Sequence, residues 1–109
     1  MEKIDYETFS QIEVKIGTVL EADIIPEADR LLKLKVDVGE EEPRQIVSGI
    51  REYVSPEEII GKQFPFVTNL KPRKIKGYES NGMIFAGGSE ETFTLLSPLN
   101  QVPPGTTLH

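Results

Sequence analysis

From Ile12 to Ile25 the even positions Ile12, Val14, Ile16, Leu20, Ala22 and Ile24 are apolar, interrupted only by Thr18, while Glu13, Lys15, Glu21 and Asp23 fill odd positions. A period of two is the mark of a β-strand with one buried face. The run is long for a strand and contains Gly17, a residue that often marks a bulge or bend, so it reads as a bent strand serving both sides of a small barrel. After a turn at Pro26-Glu27-Ala28-Asp29, the alternation of Leu32, Leu34, Val36 and Val38 with Lys33, Lys35 and Asp37 predicts a second strand. Gly39-Glu40-Glu41-Glu42-Pro43 reads as an acidic, exposed hairpin loop. Arg44 to Ser48 then gives a short third strand, stopped by Gly49.

Ser55-Pro56-Glu57-Glu58 has the chemistry of a helix start: a serine cap, proline at the first helical position and a glutamate able to close a capping box. That helix ends by Gly61. A fourth strand is predicted from Lys62 to Leu70, with Pro65 suited to an edge or bulge, and a fifth stretch over Met83-Ile84-Phe85-Ala86, ended by Gly87-Gly88. Thr92 to Leu96 is a further strand candidate, and Tyr6 to Gln11 a short helix anchored by Phe9. A Pro- and Gly-rich tail follows Ser97. Three strands, a short helix and two more strands is the connectivity of a five-stranded OB-fold barrel, an all-β fold, here with small terminal extensions. An SH3-like barrel is the rival.

At 109 residues and 12.2 kDa, residues 1–109 read as one domain. Cysteine is absent and His109 is the only histidine, so thiol chemistry, thiolate metal sites and most histidine acid–base chemistry are excluded. Gly61-Lys62 lacks the rest of a phosphate-binding loop, and consecutive Glu40, Glu41 and Glu42 lack the alternating ligands of a calcium loop. No catalysis, cofactor or metal is expected. No apolar run is long enough to span a membrane, and Met1 to Tyr6 lacks the regions of a secretory signal, which points to the cytoplasm.

Charge changes the picture. Twelve Lys and Arg against eighteen Asp and Glu give a net charge of −6, yet residues 71–76 hold four cations (Lys71, Arg73, Lys74 and Lys76) and no acid. No Lys or Arg follows Lys76. Exposed charges are screened beyond about 8 Å at physiological salt, so a ligand feels this cluster more than the net charge. Arginine contacts phosphate through two parallel hydrogen bonds and lysine as a point charge, which makes the segment a candidate landing site for a polyanion.

Several segments together resemble the tRNA-binding domain family. They are Val14-Lys15-Ile16-Gly17-Thr18-Val19, Pro26 to Gly39, Arg44-Gln45-Ile46-Val47-Ser48-Gly49-Ile50, Pro56-Glu57-Glu58, Asn69-Leu70-Lys71-Pro72-Arg73-Lys74 and Ser80-Asn81-Gly82-Met83. That family includes free-standing homodimeric tRNA-binding proteins and the C-terminal domain or beta subunit of methionyl-tRNA synthetases. The resemblance implies an OB barrel that recognises tRNA by shape, performs no chemistry and works as a homodimer, with the tail of residues 97–109 in the dimer interface. A methionyl-tRNA synthetase catalytic subunit is the implied protein partner. The implied RNA contacts are Asn69, Lys71, Arg73, Lys74, Ser80 and Met83, joined by Lys76 from the basic segment and by Lys33, Arg44 and Ser48 on neighbouring strands. A dimeric secretion-type chaperone of the same fold, which binds peptides, is the alternative.

Overall fold

The computed structural model describes all of residues 1–109. The chain starts with a short helix α1 (Tyr6–Phe9), then β1 (Val14–Ile25), β2 (Ala28–Asp37) and β3 (Arg44–Ser48). A second short helix α2 (Pro56–Ile59) precedes β4 (Gln63–Val67), β5 (Arg73–Ile75), β6 (Tyr78–Ser80), β7 (Met83–Ile84), β8 (Ala86–Gly87), β9 (Thr94–Leu95) and β10 (Thr107–Leu108). The main sheet runs β3-β2-β1-β4-β7, with β10 added beside β1. Two small ribbons, β5-β6 and β8-β9, complete the strands.

The long first strand behaves as its glycine suggested, but not with the expected facing. Register shifts interrupt its pairing with β2 between Val19 and Glu21 and between Ile24 and Ile25. In β1 only the first shift adds a residue, Leu20, which turns the side chains after it to the other face; the second falls on β2, where Asp29, Arg30 and Leu31 lie unpaired between Ala28 and Leu32. Val19 and Ala22 are therefore buried in one cluster and Ile25 in a second, with Ala28 and Val47, whereas Leu20 and Ile24, expected inside, are 44% and 49% exposed. Gly17 faces the core: a Cβ there would sit 2.6 Å from Val36 Cγ1 and 2.9 Å from Phe66 Cδ2. Only a residue without a side chain lets β1 cross so close to these two.

The alternation in β2 holds as read, with Leu32, Leu34 and Val36 buried, and Val38 just past the strand buried too. Together with Val19, Ile46, Phe64, Phe66 and Ile84 they form the central core, which Ile59 of α2 joins. At α2 the Glu58 carboxylate accepts from the Ser55 N–H at 2.8 Å, the glutamate arm of the expected capping box. Every residue of β4 is buried, because Phe64 and Phe66 enter the core while the other face lies under the C-terminal tail.

That tail is held within its own chain. Gln63 Nε2 donates to the Val102 carbonyl at 2.6 Å, and its Oε1 accepts from the Val102 N–H at 3.1 Å. Gly105 N–H donates to Ile16 O, and Ile16 N–H to Thr106 O, at 2.7 and 2.9 Å. Residues 102–108 thus act as a strap over β1, a pairing that the alternation pattern gives no hint of.

The barrel is not closed by a continuous ladder. Between β3 and the β6–β7 segment the seam is stitched mainly by side chains. The Ser80 hydroxyl accepts from Val47 N–H at 3.0 Å, and Gln45 Nε2 donates to Glu79 O at 2.9 Å. One backbone bond, Asn81 N–H to Gln45 O at 2.8 Å, completes it.

Candidate nucleic-acid interface

The basic segment is not a plain loop. Arg73, Lys74 and Ile75 pair in antiparallel register with Ser80, Glu79 and Tyr78, enclosing the two-residue turn Lys76-Gly77. Both turn residues have positive φ, +53° and +86°, as a tight primed hairpin turn requires. Ile75 and Tyr78 anchor this hairpin on a small apolar cluster of Ile25, Ala28 and Val47. The Ser80 and Gln45 hydrogen bonds fix its other end.

Lys71, Arg73, Lys74 and Lys76 are all exposed. The chain's three ion pairs are Lys15–Glu13, Arg30–Glu52 and Arg44–Glu40, so none of the four is within 4.0 Å of a carboxylate. Strand alternation puts Lys74, opposite Glu79, on the other face of the ribbon from Arg73 and Ile75. The cations form a projecting ridge with charge on two faces, not one flat patch. Lys33 on β2 joins from the barrel side: its ammonium lies 5.3 Å from the centroid of the Tyr78 ring. Lys33 pairs with Val47, the Val47 N–H bonds the Ser80 hydroxyl, and Ser80 pairs with Arg73, so Lys33 and Arg73 lie on strands linked across the seam.

Three of the other expected contacts have their polar groups occupied inside the chain. Arg44 gives Glu40 two hydrogen bonds, Nε to Oε1 at 2.9 Å and Nη2 to Oε2 at 2.8 Å, and donates through Nη1 to the Thr68 carbonyl at 2.6 Å. Its side chain is only 14% exposed. The hydrogen bond from Arg44 holds the Glu40 carboxyl below the usual glutamate range, and the same bond favours the charged guanidinium. Asn69 uses both ends of its amide: Oδ1 accepts from Glu13 N–H at 2.8 Å and Nδ2 donates to Gln11 O at 2.7 Å. Ser80 is 3% exposed and its hydroxyl is spent on the seam. These bonds tie all three residues into the scaffold behind the ridge. Ser48, half-buried, ends β3 opposite Leu32. Met83 is 44% exposed while its neighbour Ile84 is buried, so it is a surface side chain and not a core one.

Two residues important to this geometry do not stand out in the sequence. Tyr78 carries both the apolar anchor and the Lys33 contact, and Gln45 ties down the strand after the turn. A signal for Tyr78 does exist: a glycine after one polar residue, flanked by Ile75 and Tyr78, is a hairpin pattern.

Comparison with known proteins turns this geometry into an assignment. The model of the putative tRNA-binding domain matches residues 14–107. The chain belongs to that family. It is 47% identical over 107 residues, 97% of its length, to a methionine–tRNA ligase of Methanococcoides burtonii. It spans only 16% of that ligase. Among solved structures, the MetRS related protein from Pyrococcus horikoshii is similar at 40% identity and a TM-score of 0.92, with both chains covered in full. The chaperone CsaA from Bacillus anthracis is similar at 29% identity and a TM-score of 0.88, over 99% of this chain and 100% of that one. The fold is thus of the OB type shared by tRNA-binding proteins and CsaA chaperones. No helix is long and apolar enough to cross a membrane.

Proposed function

We propose that this protein binds folded tRNA through the ridge formed by Lys71, Arg73, Lys74 and Lys76, with Lys33 beside Tyr78 and the exposed Met83 at its margins. The observation that carries the reading is that the four ridge cations are exposed and unpaired on an otherwise acidic chain. Unpaired cations release the counterions of a phosphate backbone without first breaking internal ion pairs. The protein does no chemistry of its own. It works in the cytoplasm as an accessory that increases the hold of a methionyl-tRNA synthetase on its substrate.

It acts as a homodimer. An apolar groove of about 670 Å³ lies between α1 and the tail, lined by Tyr6, Phe9, Ile12, Phe85, Leu96 and Leu108. Phe9, Ile12 and Leu96 are each at least half exposed, and burying them against a second copy supplies the driving force. In this reading the tail of residues 97–109 serves both as strap and as part of the dimer surface.

A gel shift with unfractionated tRNA against single-stranded DNA of equal charge tests the proposal. Folded tRNA is expected to bind more tightly, with log K falling as log salt rises. Replacing Lys71, Arg73 and Lys74 together by Gln should make that slope shallower by roughly 2 to 3, at about 0.7–0.9 for each phosphate no longer neutralised. Absence of any salt-sensitive tRNA complex at micromolar protein would overturn the reading. Suppression of client aggregation that persists at high salt and without these cations would favour the chaperone function instead.

A further inference from the structure

Asparagine occurs three times in the chain, at 69, 81 and 100, and only Asn81 is followed by glycine. The side-chain amide of an asparagine is open to attack by the backbone nitrogen of the next residue, and glycine, which has no Cβ, shields that nitrogen least. The fold leaves both reacting groups free. The Gly82 N–H donates to no acceptor within the chain, and neither end of the Asn81 side-chain amide is hydrogen-bonded. No buried side-chain nitrogen or oxygen lacks a partner, so the Asn81 amide reaches water. Asn69 differs on both counts: its amide is engaged at both ends, and Leu70 follows it.

Asn81 stands on a polar pocket of about 400 Å³ shared with Glu40, Glu42, Arg44, Gln45 and Glu79, at the end of the seam between β3 and the basic hairpin. We propose that Asn81-Gly82 is a self-modification site, where the chain deamidates unaided and loosens this seam. The Gly82 nitrogen attacks Asn81 Cγ: the N–Cγ bond forms, the Cγ–Nδ2 bond breaks, and ammonia leaves with the proton that Gly82 N–H gives up. Water then opens the cyclic imide. Addition of water at Cγ leaves aspartate, and addition at the main-chain carbonyl carbon leaves isoaspartate, whose backbone runs through the side-chain methylene. No group is oxidised or reduced. The isoaspartate product inserts one carbon into the main chain between two points that are tied down. Asn81 N–H donates to Gln45 O at 2.8 Å on one side, and Gly82 O accepts from the Ser80 hydroxyl at 3.2 Å on the other. It also places a new carboxylate in a pocket that already holds three glutamates.

The test follows the full chain at neutral and mildly alkaline pH beside N81Q and beside the parent unfolded in urea. Mass-spectrometric peptide mapping reads conversion of amide to acid, and labelling by an isoaspartyl methyltransferase with S-adenosylmethionine counts isoaspartate. The folded parent should convert at Asn81, faster at the higher pH because the deprotonated amide is the attacking species. N81Q, whose longer side chain closes a five-membered ring no more, should not convert. The isoaspartate form, separated by ion exchange, should unfold about 4 °C below the parent, the loss of one seam hydrogen bond. N81D carries the charge on an ordinary backbone and should lose less. Three results would each overturn the proposal: a folded Asn81 that stays intact while the urea-unfolded chain converts, conversion at Asn100 instead, or an isoaspartate form with the parent's Tm. An N81D that falls as far as the isoaspartate form would overturn the claim that the added backbone carbon loosens the seam.

Discussion

Replacing Arg44 by Met separates a scaffold arginine from an RNA-contacting one. Methionine keeps much of the stem and removes every donor. The variant loses the bidentate contact with Glu40 and the 2.6 Å bond to the Thr68 carbonyl. Glu40 is 41% exposed, so its share of the ion pair is screened by water and counts for little. The bond to Thr68 lies deeper and is made by a charged donor to the chain just beyond β4. Losing a charge-assisted bond of this kind, with the carbonyl left short of a partner, costs about 2–3 kcal/mol. For a chain of this size, 1 kcal/mol corresponds to roughly 4 °C, so thermal unfolding followed by circular dichroism should show Tm lower by about 10 °C. The salt slope of tRNA binding, measured well below that Tm, should stay at the parent value. A Tm loss below about 2 °C together with a slope shallower by about 0.7–0.9 would refute the reasoning and return Arg44 to the RNA surface.

The Glu40–Arg44 pair also makes stability depend on pH. A carboxyl held below its ordinary range in the folded state stabilises fully above that range and loses its contribution as pH falls through the folded value, so Tm should decline on acidification and E40Q should flatten that decline. G17A should destabilise by about 1–3 kcal/mol in urea unfolding, because the added methyl meets Val36 and Phe66 below van der Waals distance; an unchanged midpoint would show that β1 shifts freely. Phe9→Asp combined with Leu108→Asp should turn a dimer into a monomer in sedimentation while leaving the barrel folded; a parent that sediments as a monomer would refute the dimer.

Much of the barrel is legible in the sequence because its elements obey local rules. The alternation in β2 has no bulge within Leu32–Val36, and Arg44–Ser48 is bounded by a proline and a glycine, so both read as they stand. β1 defeats the period-two reading because one extra residue, Leu20, moves the inward face, and sequence alternation alone carries no sign of it. Composition finds the basic residues, but their arrangement depends on the hairpin turn at Lys76-Gly77, where Lys stands in place of the Asn that such turns favour. Asn69, Ser80 and Arg44 share a structural role that the sequence hides. Each is a polar residue beside the cations, and only the fold reveals Gln11, Val47 and Thr68 as their partners.

A seam sewn by Ser80 and Gln45 gives way more easily than the cooperative ladders on either side of it. The ribbon can therefore open at this end while Ile75 and Tyr78 keep its other end pinned on their apolar cluster and the drum behind stays intact. In solvent-deuterium exchange the Val47 amide, bonded to a hydroxyl, would report those openings sooner than amides in the β1–β2 ladder. The chain thus carries a ribbon pinned beside its turn and yielding at its base, able to adjust to a curved polyanion without loosening its interior.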